Sequence, residues 1–341
     1  MNMTKVSALL LAGGLTCLQS VYAQAHMHAG VVDQADLLVA GQIERFSQSA
    51  FAKAMEANQP EELKELNKAQ RERFTEATGL EEDDMVSMVM SARLADLNIM
   101  DMENTDFEAL QVVLTFQLKK AVTLEQLQAG IDIMQEDAFS KVRMRVGELQ
   151  GQQVLEILPP EGETDGPQKM FGAISEDGKS VVLALNEATM TAALQRVAAG
   201  RSGQPNPEMA QAMQALRGQQ LQMALVLPEN MRQALQMAMQ GGDMGPMAMM
   251  VMPFMGTKSV LMSATAADNM DIKLMIDLGN AESAQMMSNM APNMMGGAAG
   301  MFPAARKVKF ASQGSVLQIS AELTPEDLQP DPEAMMMMQG F

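Results

Sequence analysis

Hydrophobic and polar residues alternate along several stretches of this chain. In residues 110–119, Leu110, Val112, Leu114, Phe116 and Leu118 share one side, with Gln111, Thr115, Gln117 and Lys119 on the other. In 270–279, Ile272, Leu274, Ile276 and Leu278 oppose Asp271, Lys273 and Asp277. In 141–146, Val142, Met144 and Val146 oppose Lys141, Arg143 and Arg145. A period of two predicts strands with one buried and one wet face.

Other stretches carry the helical period. Thr123 and Gln126 have capping-box spacing at the start of a stripe formed by Leu124, Leu127, Ile131 and Met134. Asn280 suits the cap of a helix bearing Ala284, Met287 and Met290. Pro228 opens a helix with Met231, Ala234, Leu235 and Ala238, stopped by Gly241 and Gly242. A further helix over 61–77 is expected to turn Leu63, Leu66 and Phe74 inward and to stop at Gly79.

In chain order the first half reads strand 36–42, helices 43–57 and 60–78, strands 85–95 and 108–119, helix 123–136, strands 141–149 and 152–158. The second half reads strand 221–227, helix 229–240, strands 259–267 and 270–278, helix 281–291, strands 306–312 and 314–323. The expected fold is α+β: two tandem β-α-β-β-α-β-β units forming largely antiparallel sheets, with helices packed on one face. Whether the halves share a sheet is open at this point.

The expected divisions are a signal peptide at 1–25, a first repeat at 26–200, a connector at 201–220, a second repeat at 221–330 and a disordered Met-rich tail at 331–341. The first repeat carries an extra hairpin, 169–186, whose Asp177-Gly178 suits a tight primed turn, and an extra helix, 188–198. Residues 159–168 read as an irregular loop, the connector is rich in Gly, Pro and Gln, and Thr324-Pro325-Glu326-Asp327 starts a last helical turn.

The segments Ala35-Asp36-Leu37-Leu38-Val39, Thr78-Gly79-Leu80, Asp271-Ile272-Lys273-Leu274 with Ala281-Glu282-Ser283-Ala284, and Gly314-Ser315-Val316 leading to Leu323-Thr324 are scattered over most of the chain. On these the chain resembles a loose group of uncharacterised exported bacterial proteins with a signal peptide and duplicated α+β halves. The resemblance implies fold class and export, and brings no activity or functional residues.

Export is also read from the N-terminus itself. Lys5 precedes an apolar run from Val6 to Leu18, and small residues suit cleavage after Ala23 or Ala25. Gly14 and Thr16 fit poorly to lipid attachment at Cys17. The expected destination is periplasmic or extracellular, and no segment supplies the roughly 20 apolar residues of a transmembrane helix.

Charge narrows the partners. The formal net charge is −18, and removal of Lys5 with the signal makes it one unit more negative. With no basic patch, nucleic acid is not an expected partner. Composition narrows the chemistry. The single Cys and both histidines lie within the first 28 residues, so thiol catalysis, Cys-ligated metals and a Ser-His-Asp triad are unsupported. The chain has no Trp and one Tyr, which removes the usual stacking platforms. Glu81-Glu82-Asp83-Asp84 is the densest acidic cluster and reads as a solvated loop rather than a carboxylate-pair active site.

Methionine is the anomaly. Of 38, nine lie between Met231 and Met255, six between Met286 and Met301, and four at Met335–Met338. Met231 and Met287 on helix faces, with Met144 and Met262 on strand core positions, read as pliable packing. The stretch 244–255 is broken by Gly245, Pro246 and Pro253 and reads as a loop, lid or adhesive patch.

The expectation is an exported acidic, non-catalytic protein with a structural or protein-binding role, no cofactor, and a Met-rich loop and tail for partner contact or self-association. One alternative is a copper-binding protein using His26 and His28 with Met244, Met247, Met249, Met250, Met252 and Met255, since thioethers are soft ligands. The other is a lipid or small apolar-ligand carrier with 244–254 as mouth or lid.

Overall fold

The alternating stretches become strands of one sheet. A computed structural model describes residues 31–95, 109–134, 142–160, 169–199, 203–241, 254–298 and 303–328. The strands are β1 (Leu37–Gly41), β2 (Met85–Arg93), β3 (Gln111–Leu118), β4 (Arg143–Leu149), β5 (Gln152–Leu158), β6 (Met170–Ile174), β7 (Ser180–Ala184), β8 (Leu221–Val226), β9 (Ser259–Ala266), β10 (Met270–Asp277), β11 (Lys309–Gln313) and β12 (Val316–Leu323). They form a 12-stranded sheet in the order β11-β12-β10-β9-β8-β1-β2-β3-β7-β6-β5-β4. Every neighbouring pair is antiparallel. The fold is α+β with a large antiparallel sheet, and both halves of the chain contribute to it.

The helices are α1 (Ile43–Ser47), α2 (Ala50–Ala57), α3 (Glu61–Thr78), α4 (Leu124–Met134), α5 (Glu187–Ala198), α6 (Pro207–Ala215), α7 (Glu229–Gly241) and α8 (Ala281–Ala298). Local chemistry starts several of them. Thr123 and Gln126 form the capping box of α4, with the Gln126 N–H donating to Thr123 Oγ1 at 3.3 Å and the Thr123 N–H to Gln126 Oε1 at 2.8 Å. Asn280 Oδ1 accepts the Ser283 N–H at 2.7 Å and caps α8.

The helices lie on both faces of the sheet, which corrects the expectation of one. On the first face α5 and α6 bury Met190, Ala193, Met209 and Leu216 against Leu38, Ala40, Val89, Val113, Val182 and Ala224. On the second, Leu127 of α4 packs with Leu118, Val181 and Leu183, and Ala284 and Met287 of α8 pack with Ile276 and Leu317. The reason is visible in strands such as β3 and β7, where Val112-Val113-Leu114 and Val181-Val182-Leu183 run apolar without interruption, the pattern of a strand covered on both sides.

Three local expectations also change. The connector 201–220 contains α6, begun by Asn206 Oδ1 accepting the Met209 N–H at 2.7 Å with Pro207 in the first helical turn. Leu63 and Leu66 are 43% and 54% exposed, because α3 meets α4 only near its end, where Phe74 and Thr78 close on Gly130. The β6–β7 connection is a loop over 175–179, with the Gly178 N–H donating to the Ser175 carbonyl. A tight two-residue turn with both residues at positive φ occurs instead between β4 and β5, where Gln150 and Gly151 have φ of 54° and 79°.

Candidate functional site

Strand register defines the second face as a set of cross-strand rows. Starting from Val39 at the centre and moving through β8, β9, β10, β12 and β11, the residues in register are Met223, Met262, Leu274, Ile319 and Phe310. Moving the other way from Val39, through β2, β3, β7, β6, β5 and β4, they are Met90, Leu114, Leu183, Gly172, Leu155 and Val146. Each strand contributes one apolar residue to this row. The neighbouring rows pass through Leu37, Leu225, Val260 and Ile276 on one side and Gly41, Leu221, Ala264 and Ile272 on the other. From β10 to β3 the three rows carry no charged or hydrogen-bonding side chain. We call this the aliphatic face.

From β8 to β3 the aliphatic face is the less covered of the two. The aliphatic face is covered on either side of its centre: Leu155 is 0% exposed, Leu127 of α4 seats against Gly172 and Leu183, and Leu317 under α8 is 1% exposed, whereas Val146 on the β4 edge is 54% exposed. Between these covered parts Leu274, Met262, Met223, Val39, Met90 and Leu114 are only half-buried. On the opposite face polar residues are buried beside the apolar core, Ser91 at 0% exposed, Thr115 at 7% and Gln222 at 7%, while Asp271 and Lys273 of β10 stand exposed. Six strands lie in the half-open stretch, and at about 4.8 Å between neighbours it runs roughly 24 Å across the sheet. Such a strip can hold a flexible apolar chain by contact alone, and the three methionines supply side chains that adjust to its shape.

Charged groups gather elsewhere. In the acidic run 81–84, Glu81, Glu82 and Asp83 are exposed, as a solvated segment would have them, while Asp84 is buried and forms a capping box with Glu81. Asp84 is 6% exposed, its Oδ2 accepts the Glu81 N–H at 2.8 Å, and Lys120 Nζ lies 2.8 Å away. Burial pushes the Asp84 carboxyl up, but the Lys120 ammonium and the Glu81 N–H outweigh it and hold it below the ordinary value. Glu156 follows the same logic: burial raises it, and Arg145 and Lys169 bring it below the usual range. Lys119 Nζ sits 2.8 Å from Glu44, whose hydrogen bond raises the lysine. These pairs neutralise one another at the edges of packed elements and aim no acid or base at a common point.

Of the residues proposed for copper, His26, His28, Met244, Met247, Met249, Met250 and Met252 lie outside the described residues, as do the signal segment 1–25 and the tail 331–341. Met255 is described. It is half-buried in a turn whose Phe254 carbonyl accepts both the N–H and the hydroxyl of Thr257. Among the described residues no group of three or more His, Cys, Asp or Glu is placed to hold a metal ion. Among them, too, no helix is long and apolar enough to cross a membrane.

Sequence reasoning placed Met262 in a core and gave Met90 and Met223 no role. The signal that groups them is register: only strand order brings the three into one row with Val39.

No protein family and no curated protein matches this chain. Among solved structures, crystal form I of TP0453 is similar at 10% identity and a TM-score of 0.42, covering 93% of this chain and 98% of that one.

Proposed function

We propose that this is an exported, non-catalytic carrier that holds an acyl chain along the aliphatic face of its sheet. One observation carries the reading: the central apolar row of the sheet is only half-buried across six adjacent strands, while Ser91, Thr115 and Gln222 on the other face are buried. Burying apolar area at about 25 cal/mol per Å² rewards any aliphatic guest laid there. An acyl chain fits better than a ring system because the wall has no charge and no hydrogen-bonding side chain to orient a rigid ligand.

The carrier is built as a duplication. From the β1–β8 seam the order β1-β2-β3 followed by β5-β4 in one direction mirrors β8-β9-β10 followed by β12-β11 in the other, with the β6–β7 hairpin inserted between β3 and β5. In this reading α4 and α8 are equivalent lids over the two ends of one shared strip.

The test is titration of the purified protein with a fluorescent long-chain fatty acid, with oleate as competitor. Saturable, displaceable binding that Val39→Asp abolishes without shifting the melting temperature by more than a few degrees is expected. Absence of saturable binding in the wild type overturns the reading. A protein-contact role has its own support in α3, whose Leu63 and Leu66 stand exposed one turn apart.

A further inference from the structure

The three thioethers in the row of Val39 give the half-buried middle of the aliphatic face a chemistry that its hydrocarbon residues lack, while a fourth on the same face, Met88 in the Gly41 row, is 4% exposed. Met223 and Met262 are direct cross-strand partners, and Met90 flanks Val39 from the other side. All three are half-buried, so a small oxidant reaches them when the face is empty. Met190 and Met209, by contrast, are 0% exposed beneath the other face.

We propose that Met90, Met223 and Met262 are an oxidant-responsive modification site whose conversion to sulfoxides discharges the apolar ligand; the proposal rests on the carrier reading above. The oxidant class is peroxide. The sulfur lone pair attacks one peroxide oxygen, the O–O bond breaks, the sulfur gains that oxygen and is oxidised by two electrons, and the other oxygen leaves as water after taking up the proton. Each sulfoxide places a strongly polar S–O group on a strip whose rows offer no hydrogen-bonding side chain and whose backbone N–H groups are committed to the ladder. An alkyl chain laid over it would leave that group without water or a partner. The empty face instead solvates it, so oxidation penalises the loaded state and spares the fold. The step is reversible by methionine sulfoxide reduction, and a bound chain should shield the sulfurs from attack.

The experiment compares fatty-acid affinity before and after mild hydrogen peroxide, with peptide mass spectrometry to locate the added oxygens. Expected are sulfoxides at Met90, Met223 and Met262, none at Met190 or Met209, and a loss of affinity on the order of tenfold or more. Sulfoxide reductase should restore binding, and a ligand present beforehand should slow modification at the three sites. The M90L/M223L/M262L protein, whatever its starting affinity, should keep that affinity within about twofold after the same treatment. If that variant fails to fold, the wild-type time course replaces it: affinity must fall in step with modification of these three and not of the exposed Met237 and Met286. Full affinity with the three modified overturns the proposal, as does an equal loss in the leucine variant. A reduced protein that never binds fatty acid refutes the carrier reading, and the switch with it; binding that survives oxidation refutes the switch alone.

Discussion

Asn206 Nδ2 donates to Asp36 Oδ1 at 3.1 Å, joining the cap of α6 to the residue that precedes β1. The same Asn206 caps α6 through its Oδ1, and Asp36 Oδ2 accepts the N–H groups of Leu94 and Ala95 at 2.9 and 3.0 Å. The Asp36 backbone also donates to the Ala92 carbonyl and accepts the Val226 N–H, so one residue, 6% exposed, ties three strands to a helix. Asn206→Ala should cost about 1–2 kcal/mol and Asp36→Ala on the order of 3 kcal/mol, because the second leaves several buried donors unpaired. Urea denaturation measures both, and equal costs would contradict this account.

Gly256 and Gly279 meet back to back. A Cβ on Gly256 would lie 2.4 Å from the Leu278 carbonyl oxygen, and one on Gly279, whose φ is 79°, would lie 2.5 Å from that of Gly256. Backbone must move to admit either. Gly256→Ala should therefore destabilise by about 1–3 kcal/mol, visible as a lower melting temperature.

Acid titration separates the ion pairs from the general charge. Asp84, Glu156 and Asp327 are held below their ordinary values, the last chiefly by its hydrogen bond from Lys307. A depressed folded-state pKa contributes stability that is present above the unfolded value, about 4, and is lost as pH falls through the folded one. Asp84→Asn should flatten the decline below about pH 4 relative to wild type. Lys119 and Lys120 are raised, so their contribution is present below the unfolded value of about 10.4 and is lost as pH rises through the folded one. Stability curves of the paired variants across pH 2–11 check both limbs.

The free half of α3 gives a control. Leu63→Ala and Leu66→Ala should each change stability by less than about 0.5 kcal/mol, whereas Phe74→Ala, at the contact with Gly130, should cost about 1–2 kcal/mol. Calorimetry distinguishes the two groups.

Most elements were legible because period two and period 3.6 survive in the residues. The alternations around Leu114, Leu274 and Met144 all land on one side of one sheet. What each strand's other side meets was not legible. Val113 and Thr115 are 0% and 7% exposed while Leu114 and Phe116 are half-buried, because α5 lies over the side that alternation marks as wet. No residue within β3 records which helix arrives from a later part of the chain. The helix α6 was concealed by the Gly, Pro and Gln around it, although Asn206-Pro207 followed by Met209, Ala212, Met213 and Leu216 carries both a cap and a stripe. The candidate strip needed strand order, which local pattern does not encode.

The place of β1 between β2 and β8 has a consequence for how the molecule is made. Its far edge stays open until the eighth strand has been synthesised, so the seam between the two halves cannot close before the whole first half has emerged from the ribosome. Closing that long loop dominates the contact order, and with it the folding rate. A chain halted before residue 221 presents an unpaired strand edge to its neighbours, the condition under which aggregation competes with folding.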